Sequence, residues 1–262
     1  MQNNPLPHFN AAPFEIKKIF EVMREGSTGA KLCLGDDGRR YVVKTLDEIS
    51  AFELIAEWIC SHLARAFRLT TPECRLVDSM SELLKMRGDS TLWGDDDYPG
   101  FASHFHASTL PLTMAMARKV DPQLKTDILL FDVWVMNGDR TLSDQGGNVN
   151  LLYDPTLDQP IVVFDHNLAL DQRENDIHIR QHHVFSGDNA GISINDIVTQ
   201  DEYIERMRQA MVHLPQIIAA IPPLWREVAN GRLGDGKDVI IDVIQPLLER
   251  YQHREFWRWI EL

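Results

Sequence analysis

From Ile16 to Leu46 apolar and polar residues alternate with a period of two, through KKIFEVM, REGSTGA and KLCLGDDGRRYVVKTL, which predicts three antiparallel strands. Asp37-Gly38, between Lys31–Leu34 and Tyr41–Leu46, is a hairpin turn signal, and Gly26 and Gly29 mark an earlier turn whose backbone can approach a ligand closely. From Asp47 to Phe67 the period lengthens, and Phe52, Ile55, Ala56, Ile59, Leu63 and Phe67 share one face of a helix. Arg68 to Val77, with Pro72, returns to extended structure. Gly88 to Pro111 reads as loop, with Asp95-Asp96-Asp97, a Pro99-Gly100 turn and a short apolar stretch at Phe101, and is expected to cross between two halves. Asp121 to Met136 predicts a helix capped by Asp121, with Pro122 at its first position and Leu124, Ile128, Leu129, Phe131 and Val135 inward. It runs into NGDRTLSDQGGNVNLLYD, a loop followed by a strand. Pro160 to Leu170 is a short apolar strand ending in an aspartate, and Asp201–Ala220 and Asp238–Ile260 are the longest helical segments that follow. No internal repeat or low-complexity tract interrupts the pattern.

Length and charge narrow what such a chain can do. The 262 residues suffice for one large domain or two lobes around a cleft. A net charge of −13 opposes bulk binding of nucleic acid and of anionic membrane. A nucleotide is still admissible, because backbone N–H groups, one or two basic residues and metal ions hold it locally. Cys33, Cys60 and Cys74 have no CxxC spacing and are expected as buried reduced thiols. The segment 1–13 is expected to be flexible. Met1 to Phe14 is polar with three prolines and lacks a secretory pattern, and no apolar run reaches membrane-spanning length, so a soluble cytoplasmic protein is expected.

The polar residues that punctuate this pattern suggest phosphate chemistry. Lys44 ends the YVVK strand, within reach of nucleotide phosphates, and Glu53 or Glu57 on the next helix could hold it extended. GSTGAK lacks the GK[ST] ending of a Walker loop and is by itself an ordinary turn. Downstream, Asp139 in NGDR, an asparagine in NVNLL and Asp165 at the end of IVVFD supply a carboxylate for an acceptor hydroxyl and oxygen ligands for Mg²⁺. Either Asn148 or Asn150 could be the ligand; they share a face by the period of two, and Asn150 is favoured because it directly precedes Leu151-Leu152. His166, His178, His182 and His183 with the aspartates could instead suggest a metal hydrolase, but no HExxH spacing supports it. His104 and His106 alternate about Phe105 and either flank a nucleotide or face solvent. Phe256-Trp257-Arg258-Trp259 is expected as core of the last helix or, if exposed, as a partner site.

The run FDVWVMNGDRT…NVNLL…VVFDHNLAL resembles the HipA-like kinase family, and the similarity extends more weakly over VVKTL and AFELIAEWICSHLARAFRLTTPECRLV. The resemblance implies an α+β, two-lobed protein-kinase-like fold: an N-lobe over 14–103 with a small antiparallel sheet, and a mainly helical C-lobe over 104–262. It implies ATP and Mg²⁺ as cofactors, with Gly26, Ser27, Thr28 and Gly29 covering the phosphates and Lys44 binding them. Glu53 resembles the helix acid, Asp139 the catalytic-loop aspartate and Asp165 the metal-binding aspartate. It further implies a serine or threonine of a protein as acceptor, and regulation by autophosphorylation at Ser27 or Thr28. A lipid or small-molecule kinase and an inactive nucleotide-binding module are the alternatives on the same fold, and an antitoxin-type partner is not implied. Two departures stand out. The usual asparagine lies five residues after the aspartate, whereas here Asn148 is nine and Asn150 eleven residues on, with LSDQGG occupying the excess; and FDHN replaces an aspartate followed by glycine.

Overall fold

The period-two stretch forms β1 (Ile16–Val22), β2 (Lys31–Gly35) and β3 (Arg40–Lys44), each antiparallel to the next. The computed structural model describes residues 14–23, 29–77, 83, 99–143, 146–173, 176–194 and 197–258. The expected flexible segment 1–13 lies outside them, as do Gly26, Ser27 and Thr28. With β4 (Cys74–Val77) and β5 (Gly100–His104) the strands build one antiparallel sheet in the order β1-β2-β3-β5-β4. The loop expected around Phe101 is thus corrected: β5 is an interior strand, pairing Ser103 with Val42 on one side and Phe101 with Leu76 on the other. Both of its faces are covered, so no alternation of polarity marked it. Tyr41, Val43, Ala102 and Val77 turn to one face and pack with Phe14, Ile16, Ile19 and Cys33 in a small separate core. Alternation sends Phe101 and Leu76 to the other face, into the main core.

Helix α1 (Ala51–Ala66) starts later than the apolar period suggested, because Ser50 and Glu53 form a capping box that fixes its first turn. It is apolar on nearly every side because it lies between the sheet and the later helices. It packs on β4 and β5 and on α5 (Ile197–Met211), α6 (Leu214–Ala219) and α7 (Pro223–Leu233). The indole N–H of Trp58 donates to the carbonyl of Ile217 at 3.0 Å.

The later half begins with β6 (Leu110–Pro111) and α2 (Met114–Ala117). Asp121 then caps α3 (Pro122–Trp134), accepting from the amides of Gln123 and Leu124. β6, β7 (Leu151–Tyr153) and β8 (Ile161–Val163) form a second antiparallel sheet, and α4 (Asp176–His182) follows. The strand expected to run to Leu170 therefore stops at Val163, and Asp165 lies beyond it.

Both long C-terminal helices are shorter than the pattern predicted. Asp201–Ala220 is divided between α5 and α6, where Pro215 has no N–H to continue the ladder. Asp238–Ile260 is divided into a π-helical turn at Val239–Ile244, α8 (Gln245–Leu248), a 3₁₀ turn at Glu249–Gln252 and α9 (Arg254–Trp257). Pro246 cannot donate there, and the amide of Gln245 reaches back to Ile240 instead. Phe256 and Trp257 are buried, as expected of core; Trp259 lies outside the described residues. The architecture is the expected α+β one, with an antiparallel sheet first and helices after it. Among the described residues no helix is long and apolar enough to cross a membrane.

Candidate active site

Lys44, the last residue of β3, has its ammonium buried between two carboxylates. It donates to Glu57 Oε2 at 2.8 Å and to Asp165 Oδ1 at 2.5 Å. The partner on α1 is Glu57 and not Glu53, which corrects the assignment of Glu53 as the helix acid. Glu53 Oε2 is occupied by the amide of Ser50 at 2.7 Å, one half of the capping box. Glu57 lies one turn further in, where its second oxygen accepts the amide of His166 at 3.0 Å. Burial alone would discharge Lys44, but Glu57 and Asp165 outweigh it and hold its pKa above the ordinary lysine value. Burial raises the pKa of Glu57. Asp165 is also desolvated, yet the adjoining ammonium keeps its pKa low. Lys31, the lysine of GSTGAK, is engaged elsewhere, in an ion pair with Glu48.

Asp165 and Asn150 both have left-handed backbone, at φ 57° and 46°. Aspartate and asparagine tolerate this better than other non-glycine residues, and such departures concentrate at functional sites. The two residues are joined through Arg140. This fully buried guanidinium donates to the carbonyls of Asn150 and Phe164, so it grips the strand end carrying the asparagine and the residue before Asp165. Arg140 is itself fixed by Asp132, with Nε to Oδ2 at 2.6 Å and Nη2 to Oδ1 at 3.3 Å. His183 Nδ1 accepts the amide of Phe185, so the proton of the neutral ring is on Nε2 and is donated to Asp132 at 2.9 Å. Burial opposes the charge on Asp132, but Arg140 and His183 hold its pKa at about 2. This network was not foreseen from sequence. The one available signal was a carboxylate inside the apolar run LLFDVWVM, where an unpaired charge would be costly.

The long spacing between Asp139 and the asparagines is folded out as a small hairpin. The amide of Thr141 donates to the carbonyl of Asn148 at 2.9 Å, and Ser143 and Gly146 exchange backbone bonds nearer the tip. A Cβ on Gly147 would lie 2.5 Å from the carbonyl oxygen of Thr141, so only glycine lets the two legs approach. Asn148 and Asn150 both return to Asp139, donating to its Oδ2 at 2.6 and 2.9 Å. Partial burial and the nearby Asp165 raise the pKa of Asp139.

A cavity of about 620 Å³ opens over these groups. Asp139, Asn148, Asn150 and Asp165 are among its polar lining, and Val42, Pro72, Phe105 and Leu151 are among its apolar lining. His104 and His106 line it as well, and burial lowers the pKa of both. Gly29 has φ 65°, the Met23 amide donates to the Ala30 carbonyl at 2.7 Å, and Met23 reaches the cavity.

The donor set suits a hard cation. The Asp165 carboxylate and an asparagine amide oxygen, completed by phosphate and water, are what Mg²⁺ or Mn²⁺ takes. Each asparagine directs its NH₂ to Asp139, which leaves its amide oxygen to a ligand. The histidines do not converge into a hydrolase centre. His178 and His182 lie against each other with tilted rings along α4, His183 serves Asp132, and His166 is buried against Ser61 of α1 with its pKa pushed down to about 3. Among the described residues no group of three or more His, Cys, Asp or Glu could hold a metal.

Solved structures similar to this chain share little of its sequence. The chain is similar in structure to the Golgi casein kinase with Mn/ADP bound, at 13% identity over 95% of this chain and 72% of that one, with a TM-score of 0.49. It is similar to the Helicobacter pylori proinflammatory kinase CtkA, at 12% identity over 93% of this chain and 99% of that one, with a TM-score of 0.47. A chain of the Shewanella oneidensis MR-1 toxin–antitoxin complex of HipA, HipB and operator DNA matches at 12% identity over 84% of this chain and 59% of that one, with a TM-score of 0.44. No curated protein matches. The family model for HipA-like kinases spans residues 16–260, which takes in every strand and helix described and all the residues that meet at the cavity, and the chain belongs to the HipA-like kinase family.

Proposed function

We propose that this kinase transfers the γ-phosphoryl group of ATP, with Mg²⁺, to the hydroxyl of a serine or threonine in a protein. The observation that carries the reading is that Asp165, bonded to the Lys44–Glu57 pair behind it, lines one cavity with Asp139, Asn148 and Asn150. Glu57 keeps Lys44 charged and directed, so that its ammonium can pass from Asp165 to phosphate oxygens. Asp165 and Asn150 would hold the ion. Asn150 is preferred to Asn148 because it is buried and its carbonyl is fixed by Arg140, whereas Asn148 is exposed. Bound there, the ion would neutralise charge on the transferring phosphoryl group. Asp139, with its raised pKa, is suited to take the acceptor proton. The segment from Gly26 to Gly29 would cover the phosphates. Phosphate on Ser27 or Thr28 would add about 1.5 to 2 negative charges there and oppose ATP.

Incubation with labelled ATP and Mg²⁺, followed by mass spectrometry of the protein and of a cell lysate, tests the reading. Phosphoserine or phosphothreonine is expected. Asp165→Asn should lose Mg·ATP affinity and turnover, while Asp139→Asn should lose about 10²- to 10⁴-fold in turnover and keep its affinity. Equal loss of affinity in the two variants would overturn the division of roles.

A further inference from the structure

Two asparagines converge on one oxygen of Asp139, and a single metal-binding amide needs only one of them. We infer that Asn148, brought back by the inserted hairpin, is a positioning residue that fixes the Asp139 carboxylate, leaving Oδ1 to the acceptor hydroxyl and Asn150 to the metal. The inference rests on the function proposed above and assigns the residue which that reading leaves unused.

The geometry supplies three reasons. First, both bonds to Asp139 fall on Oδ2, at 2.6 Å from Asn148 and 2.9 Å from Asn150. A carboxylate held by one donor can still turn about its Cβ–Cγ bond. Two donors from separate backbone positions define its plane and decide which oxygen is left for a proton. Second, Asn150 has two tasks, since its amide oxygen would face the ion while its amide nitrogen faces Asp139. Asn148 has one, and can hold Asp139 whatever adjustment Asn150 makes when metal enters. Third, the root of Asn148 is rigid although its side chain is exposed. Its carbonyl closes the hairpin against the Thr141 amide at 2.9 Å, and Gly147 permits the close approach of the legs. Thr141 is bridged to His183, and the Val184 amide donates to the carbonyl of Arg140 at 3.0 Å, so the hairpin stands on the Asp132 network. The insertion that lengthens the catalytic loop thereby furnishes a second amide for its aspartate. Misplacing a reacting group by about 1 Å can cost about 10²-fold in rate, so an exposed hydrogen bond of small worth to stability can still matter to chemistry.

The test uses the full chain with Asn148→Ala, Asn148→Gln and Asn150→Ala. Affinity for Mg·ADP is read by calorimetry, phosphoryl transfer from Mg·ATP by its kcat and KM, and the Asn148 side-chain amide by its ¹⁵N–¹H resonance. Asn148→Ala is expected to lower kcat about 10- to 100-fold while KM for ATP and affinity for Mg·ADP stay within about twofold. Asn148→Gln, which keeps a donor, should recover part of the rate. Asn150→Ala should weaken Mg·ADP by about tenfold or more. The Asn148 resonance should move on Asp139→Asn and stay in place when Mg·ADP is added to the wild type. Three results would overturn the inference: loss of Mg·ADP affinity in Asn148→Ala equal to that in Asn150→Ala, an unchanged kcat, or a resonance insensitive to Asp139→Asn. A wild type that binds Mg·ADP and transfers nothing overturns the kinase reading together with this role, whereas an unchanged kcat in an active enzyme overturns this role alone.

Discussion

Glu53 and Glu57 differ by one helical turn and by nothing in their own chemistry, yet α1 uses them oppositely. Glu53 caps the helix and Glu57 holds Lys44. Glu53→Gln should therefore change stability by no more than about 0.5 kcal/mol, because glutamine also serves in a capping box. Glu57→Gln removes the charge facing a buried ammonium and should weaken Mg·ADP by about tenfold or more, equivalent to about 1.4 kcal/mol. Calorimetry on both variants decides, and equal affinities would refute the pairing. Lys44, Asp139 and Asp165 were legible in the sequence through their order and their places at element ends. The choice between the glutamates was not, since each lies where a helix could present it to β3. Nor was the tie of Asp132 to His183, which are 51 residues apart and meet only through the fold.

Buried ionisable residues also set a pH dependence. Burial, reinforced by Arg140, pushes His166 down to about 3 from 6.5. As pH falls below 6.5 the unfolded chain takes up a proton that the native protein refuses, so stability is lost through that range. Asp132, held at about 2 against 3.8 unfolded, contributes stability that is complete above 3.8 and lost as pH falls towards 2. Both effects have the same sign. The urea midpoint should be lower at pH 5 than at pH 7.5, and the difference should shrink in His166→Gln; a variant that keeps the wild-type difference would show that His166 is not its source.

At the scale of elements, the pairing of residues 141–143 with 146–148 most alters what the sequence suggested. The length of this stretch looked like a disruption of the spacing between Asp139 and the asparagines. Folded out, it restores their contact, provided residue 147 has no side chain. Gly147→Ala would set a Cβ 2.5 Å from the Thr141 carbonyl and 2.9 Å from the Leu142 Cα. Parting the legs should cost about 1 to 3 kcal/mol and withdraw Asn148 from Asp139. A lowered thermal midpoint together with lowered turnover is the expected result; wild-type values for both would mean that the legs do not need to touch. Elements with a clean period were legible: β1 to β3, α1 and α3. β5 was missed because both of its faces are covered, and the C-terminal helices were read too long because their apolar period continues across Pro215 and Pro246, where the backbone cannot.

Across the whole molecule, the candidate site draws on distant stretches of chain, with Lys44 from the first sheet, Glu57 from α1, and Asp139 and Asp165 from the loops around the second sheet. α1 ties them together, since it packs on the first sheet and on α5, α6 and α7 at once. The small core on the other face of the first sheet is built from that sheet and Phe14, and among the described residues Leu83 is what packs against it from outside. None of the three cysteines is in a disulfide, and they sample these two environments: Cys33 lies in the small core, Cys60 at the centre of α1, and Cys74 on β4. Burial holds the Cys60 thiol well above its usual pKa and pushes Cys74 up to about 12, so neither offers thiolate to a reagent while its surroundings stay closed. Alkylation can then serve as a set of internal clocks for local opening. In a time course followed by mass spectrometry without denaturant, Cys33 should be labelled first and Cys60 only at the rate of global unfolding. If Cys60 kept pace with Cys33, the outer layer would not open ahead of the rest, and the protein would come apart in one step.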